Sequence, residues 1–192
     1  MHRSLLLMAF LARAAAAADQ GPSIVVTPEM GAVHAGVAAP DFELTDQSGH
    51  KIRLSSLRGS VVLLAFVSSW CPFSQAEQPN LGKVFEDYKG KNVKVVAIDV
   101  KEDDAGYRRY LAREKMPFPV LHDPTGATTL SYTPEHALPD FKDRAKVLVT
   151  ANLVIDRKGV VRFFTLVDTV DFDDELTHAR KAIDELLAED AK

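Results

Sequence analysis

Val61–Val67 is an unbroken apolar, β-branched run, and it constrains this chain more than any other segment. A strand with no polar side must be covered on both faces, so the sheet that holds it carries helices above and below. Val93–Val100 reads as a second, largely buried strand of the same sheet. The intervening and following segments supply the helices. One is expected from Pro72 to about Lys89, with Pro72 at the first helical position, where a missing N–H costs nothing. Pro79 lies inside it and should bend it. A second helix is expected from about Asp103 to Glu114, a short one over Thr125–Tyr132, and a last one over Asp173–Leu187. In that last segment Leu176, Ala179, Ile183 and Leu186 recur at helical spacing and should face the sheet.

Hairpin signals frame this centre. Asp41–Thr45 and Lys51–Leu54 alternate around Asp46-Gln47-Ser48-Gly49, and Val147–Ile155 and Val160–Val167 flank Asp156-Arg157-Lys158-Gly159. Pro119–Leu121 reads as a short edge strand and Thr133–Lys146 as an irregular surface loop, with Lys142, Arg144 and Lys146 on a solvated face. Phe66, Phe118, Phe163 and Phe164 lie among apolar residues and read as core. The expected fold class is α/β: a mixed central sheet with helices on both faces, one core, and an N-terminal hairpin, over residues 37–190.

The first 36 residues read differently. Met1-His2-Arg3 is a short basic start, Leu5–Ala12 an apolar run, and Ala16-Ala17-Ala18 a small-residue cleavage site before Asp19, with Arg13 interrupting the pattern. Residues 1–18 therefore read as a signal peptide, which predicts an exported protein, periplasmic or secreted. The apolar run falls far short of the roughly 20 residues a membrane span needs. Residues 19–36 read as a lead-in segment with a short strand at Ser23–Thr27.

Charge and cysteine content narrow the function classes. With 23 Lys and Arg against 27 Asp and Glu, the formal net charge is -4, which argues against nucleic acid as a partner. The single cysteine, Cys71, excludes an internal disulfide and a Cys-rich metal site. The six histidines show no i, i+4 pair, and no metal or other cofactor is expected. Cys71 falls where a buried strand meets a helix, and the positive end of a helix favours the thiolate, the nucleophilic form. A free cysteine is also often a small buried hydrophobe, and its position alone leaves both readings open.

Trp70-Cys71-Pro72-Phe73-Ser74 resembles the W-C-x-x-C site of thioredoxin-fold proteins, with Ser74 in place of the second cysteine. Glu77 and Pro79 extend the likeness to the C-x-P-C-x-x-E-x-P pattern of TlpA-like thiol:disulfide oxidoreductases. Gly36, Ala39-Pro40-Asp41-Phe42, Leu44, Asp46, Gly49, Leu54-Ser55, Leu57 and Gly59 are similar to the opening of the redoxin and alkyl hydroperoxide reductase/thiol-specific antioxidant (AhpC/TSA) group. His122-Asp123-Pro124-Thr125-Gly126 and Leu153-Val154-Ile155-Asp156 with Gly159 continue the likeness, which covers about Val37 to Val167. It implies a thioredoxin fold, a nucleophilic Cys71, a Glu77 near the sulfur that handles protons, and Trp70, Pro72, Phe73 and Thr150 as substrate-facing positions. A solvated helix glutamate is the competing reading of Glu77.

Three departures matter. Ser74 cannot resolve a mixed disulfide, although its hydroxyl could hydrogen-bond the sulfur. Thr150 holds the place where the reductases carry a cis-proline. Ser68 stands three before Cys71 as in peroxiredoxins, but Leu64 replaces their proline and the nearest arginine in sequence to the expected position is Arg144. The expected activity is a thiol-dependent oxidoreductase acting through Cys71 alone, either a one-cysteine peroxidase or a monothiol disulfide exchanger. Its partner would be an external thiol reductant or a partner protein disulfide. A degenerate thioredoxin-fold binding module and, less well supported, a monothiol iron–sulfur scaffold are the alternatives.

Overall fold

A computed structural model of the protein describes residues 33–135, 142–166 and 172–189. The signal-peptide and Ser23–Thr27 expectations lie outside those residues. The architecture is a seven-stranded mixed sheet in the order β2-β1-β5-β4-β3-β6-β7. Its strands are β1 (Glu43–Asp46), β2 (Lys51–Arg53), β3 (Val61–Val67), β4 (Val93–Val100), β5 (Val120–Asp123), β6 (Ala151–Ile155) and β7 (Val161–Thr165). The helices are α1 (Pro72–Asp87), α2 (Asp104–Arg113), α3 (Ala127–Tyr132) and α4 (Thr177–Glu189). Strands β3, β4 and β5 run parallel, while β6 pairs antiparallel with β3, and β7 with β6.

The two-residue period of β3 splits the core into two layers. Val61, Leu63, Ala65 and Val67 pack beneath α1, α2 and α4, with Leu81, Val84, Tyr110, Ile183 and Leu186. Val62, Leu64 and Phe66 face the opposite layer, with Phe42, Leu54, Tyr132 of α3, Leu148 and Leu153. Each such side chain contributes about 1.5–3 kcal/mol through removal from water. The helical stripe of the last segment is buried as expected, and so are Phe66, Phe118 and Phe164, with Phe163 partly so.

The structure departs from the sequence expectation at β5, α4, β6 and Lys146. Strand β5 is interior: β1 pairs with it antiparallel, Thr45 opposite His122, and so covers the edge. Helix α4 begins at Thr177, because the Asp173 carboxylate already accepts the N–H groups of Thr177 and His178 and ends the preceding turn. Strand β6 begins only at Ala151, since Val147–Thr150 turns and Thr150 has φ +57°. Lys146 is not simply solvated: its ammonium lies 5.6 Å from the centroid of the Trp70 ring. Helix α1 is continuous through Pro79. No helix among the described residues is long and apolar enough to cross a membrane.

Candidate active site around Cys71

Strand β3 ends at Val67, and Ser68 to Trp70 lead into Cys71, the residue that precedes the first turn of α1. Parallel sheets place such loops at the carboxyl ends of their strands, where ligands meet α/β proteins. The loop is pinned on every side. Glu102 accepts from the Ser69 N–H at 2.6 Å and from its hydroxyl at 2.8 Å. Gln75 Nε2 donates to the Ser69 carbonyl at 2.7 Å, and the Ser68 N–H donates to Ser74 Oγ at 3.2 Å.

The sulfur of Cys71 takes its polar contact from across the sheet, not from its own helix. No first-turn N–H of α1 is bonded to its side chain, whereas Thr150 Oγ1 lies 3.5 Å from Sγ. Ser74 Oγ lies 2.7 Å from the same threonine hydroxyl. A thiolate sulfur can only accept. Thr150 must then donate to Sγ, Ser74 must donate to Thr150, and the Ser68 amide donates to Ser74. With Cys71 as the thiolate, these contacts form a three-donor relay ending on the sulfur. Ser74 reaches the sulfur through Thr150.

Thr150 is held unusually. A β-branched residue at positive φ is an outlier that costs about 1–3 kcal/mol and persists only where its surroundings over-determine it. Here its N–H donates to Phe66 O at 2.8 Å while its hydroxyl bridges Cys71 and Ser74.

Glu77 is 1% exposed, which overturns the solvated-helix reading. Asn152 Nδ2 donates to Glu77 Oε1 at 2.5 Å, while among the described residues Glu77 Oε2 and Asn152 Oδ1 have no hydrogen-bond partner. Burial pushes the Glu77 carboxyl up to about 8; the Asn152 bond opposes this, and the charges of Asp173 and Asp174 add to it. A second buried acid, Asp99 on β4, is also pushed up to about 8, first by burial and then by Glu102 and Asp123. Glu102 faces it as a side-chain hydrogen-bond partner, and among the described residues neither Asp99 oxygen meets an N–H or hydroxyl donor.

The structure therefore brings Ser68, Cys71, Ser74 and Thr150 together beneath the loop, with Glu77 about one turn further along α1, all buried. Trp70, 44% exposed, and Phe73, whose ring packs 5.0 Å from that of Phe172, flank the sulfur at the surface beside the exposed Pro72. Arg144 donates to the Thr133 carbonyl at 3.5 Å. Sequence reasoning missed Asn152, Asp99 and Glu102. The available signal was a polar residue inside an apolar strand run, at Asn152 in Ala151–Ile155 and at Asp99 in Val93–Val100.

Comparison with known proteins places these features. The thiol-disulfide oxidoreductase ResA of Geobacillus kaustophilus (strain HTA426) is 32% identical over 129 residues, covering 65% of this chain and 74% of that protein. ResA proteins from Bacillus species align over about half their own length. A putative protein disulfide isomerase from Bacteroides thetaiotaomicron superposes with a TM-score of 0.68 at 27% identity, covering 81% of this chain and 91% of that one. A putative thiol:disulfide interchange protein DsbE from Chlorobium tepidum superposes with a TM-score of 0.64, also at 27% identity, covering 81% and 99%. The fold is the thioredoxin fold shared by these neighbours. The AhpC/TSA family model matches residues 35–164, and the chain belongs to the AhpC/TSA family of thiol-dependent redox proteins.

Proposed function

We propose that the protein is an exported monothiol disulfide exchanger. The Cys71 thiolate attacks one sulfur of a partner protein disulfide; the S–S bond breaks, the other sulfur leaves as a thiolate and takes up a proton, and Cys71 remains in a mixed disulfide. An external thiol then attacks that mixed disulfide, releasing Cys71. The observation that carries this reading is the relay onto the sulfur. Thr150 is positioned to donate to the Cys71 thiolate, while Ser74 fills the place of a second cysteine and is itself tied to Thr150 and Ser68. The names of the ResA and DsbE relatives support disulfides as the substrate class. Trp70 and Phe73 offer the apolar contact surface beside the sulfur. Export rests on the N-terminal sequence pattern.

One observation favours a second reading, a one-cysteine peroxidase. Ser68, three before Cys71, is fully buried, and among the described residues its hydroxyl has no partner, which leaves it a hydrogen bond to offer a peroxide oxygen. Against it, Arg144 is engaged with a loop carbonyl.

The test is mass spectrometry of the full chain after mixing with a peptide disulfide or with hydrogen peroxide. Exchange predicts a mixed disulfide on Cys71 that persists until a small thiol is added, and none in Cys71→Ala. Rapid sulfenic acid formation with no mixed disulfide would favour the peroxidase. A thiol inert to both reagents would leave a binding module.

A further inference from the structure

The buried polar groups near Cys71 form a seam of two rungs between α1 and β6. The upper rung is Ser74 to Thr150, 2.7 Å, which touches the sulfur. The lower rung is Glu77 to Asn152, 2.5 Å. Ser74 and Glu77, three apart on α1, share a face of that helix, and their partners Thr150 and Asn152 lie on either side of Ala151 where the turn enters β6, so the two rungs are neighbours along one seam. All four side chains are at most 2% exposed, and the lower rung leaves two acceptors, Glu77 Oε2 and Asn152 Oδ1, without donors. Asn152 stands opposite Ala65 of β3, whose small side chain leaves the amide room to reach α1.

We propose that Asn152 is a positioning residue for Cys71 chemistry: by donating to Glu77 Oε1 it fixes Oε2 as the oxygen that gains and loses the proton, and so sets the charge presented beneath the nucleophile. The inference rests on Cys71 acting as the nucleophile proposed above. An oxygen that already accepts an N–H is the poorer site for a proton, so protonation goes to the unpartnered Oε2, which then presents its O–H as a donor. Loss of that proton places a second negative charge near the thiolate, and like charges in a poorly solvated site oppose each other. The groups facing Glu77 are Asn152 from β6 and Asp173 and Asp174 from the turn before α4, and only Asn152 favours the charged form.

The experiment combines two readouts on the full chain. Carbon-detected NMR follows the Glu77 carboxyl through pH, its signal assigned by loss in Glu77→Gln. Alkylation rate against pH follows Cys71. In Asn152→Ala the Glu77 midpoint should rise by about one pH unit, because the bond favouring the carboxylate is gone. The Glu77-dependent inflection of the alkylation profile should move with it. Asn152→Ser, which keeps a hydroxyl donor and guards against a folding defect, should bring both back towards wild type. In a Glu77→Gln background Asn152→Ala should leave the alkylation profile unchanged. An unmoved Glu77 midpoint would overturn the proposal. So would an Asn152→Ala effect on Cys71 that is as large without Glu77 as with it. Absence of mixed disulfide in the wild-type chain would instead remove the exchange function, while these titrations still decide the role of Asn152.

Discussion

On the β6 side of the Cys71 loop the buried polar groups face donors; on the β4 side two carboxyls face one another. Strand β3 carries the loop and lies between these neighbours. Towards β6, Thr150, Ser74 and Asn152 give hydroxyls and an amide to the sulfur and to Glu77. Towards β4, Glu102 accepts from Ser69 and faces Asp99, which among the described residues meets no N–H or hydroxyl donor. Glu77 and Asp99 both end near 8, yet for Glu77 a directed bond opposes burial and for Asp99 the neighbouring acids reinforce it. Similar titration can therefore arise where one donor partly offsets burial and where neighbouring acids reinforce it.

The sharpest way to break the donor side is Thr150→Pro. Proline demands a negative φ and has no N–H, whereas Thr150 has φ +57° and donates to Phe66 O. The substitution should destabilise this chain by about 4 kcal/mol in urea unfolding, because the turn does not accommodate a proline. An unchanged midpoint would show that the strained turn is not required.

On the acid side, Asp99→Asn should stabilise the chain by about 3 kcal/mol at pH 7. Asp99 keeps its proton in the folded state to about pH 8 but loses it near the ordinary value of 3.8 when unfolded. The folded chain thus holds the extra proton between those values, and stability falls as pH rises from about 4 to about 8. Below that window both states are protonated, and above it the loss is complete. Urea titrations across the window should show a shallower slope for the variant, whose amide can also donate to Glu102. Glu77→Gln should act in the same sense but less, about 2 kcal/mol at pH 7, since Glu77 starts from the higher ordinary value of 4.5.

The smallest effect separates loop pinning from charge. Ser69→Ala removes one of two bonds to Glu102 and keeps the backbone N–H bond, so thermal unfolding should register a loss of about 1 kcal/mol. A much larger loss would mean that the Ser69 hydroxyl, and not burial, keeps Glu102 and Asp99 apart.

Much of the frame was legible because it follows from short-range pattern. The run Val61–Val67 is a strand with the predicted limits, since seven consecutive apolar residues have nowhere to lie except in a covered sheet. Ala179, Ile183 and Leu186 are buried because their period is that of a helix, while Leu176 is buried from the turn just before α4. Boundaries set by single side chains were harder to read. Asp173 ends a turn that composition alone would have made the first turn of α4, and the β1 hairpin turns an expected edge strand into an interior one.

The sequence by itself determined that one cysteine would sit between a buried strand and a helix, because that is a fact of order along the chain, and its resemblance to W-C-x-x-C sites put Ser74 in the place of a second thiol. Only the tertiary structure decided what the sulfur touches. Thr150 and Asn152 are more than seventy residues from Cys71 and Glu77, their partners across the sheet. The antiparallel pairing of β6 with β3 brings them under α1, and burial then turns ordinary hydroxyl, amide and carboxyl groups into a relay and a proton site.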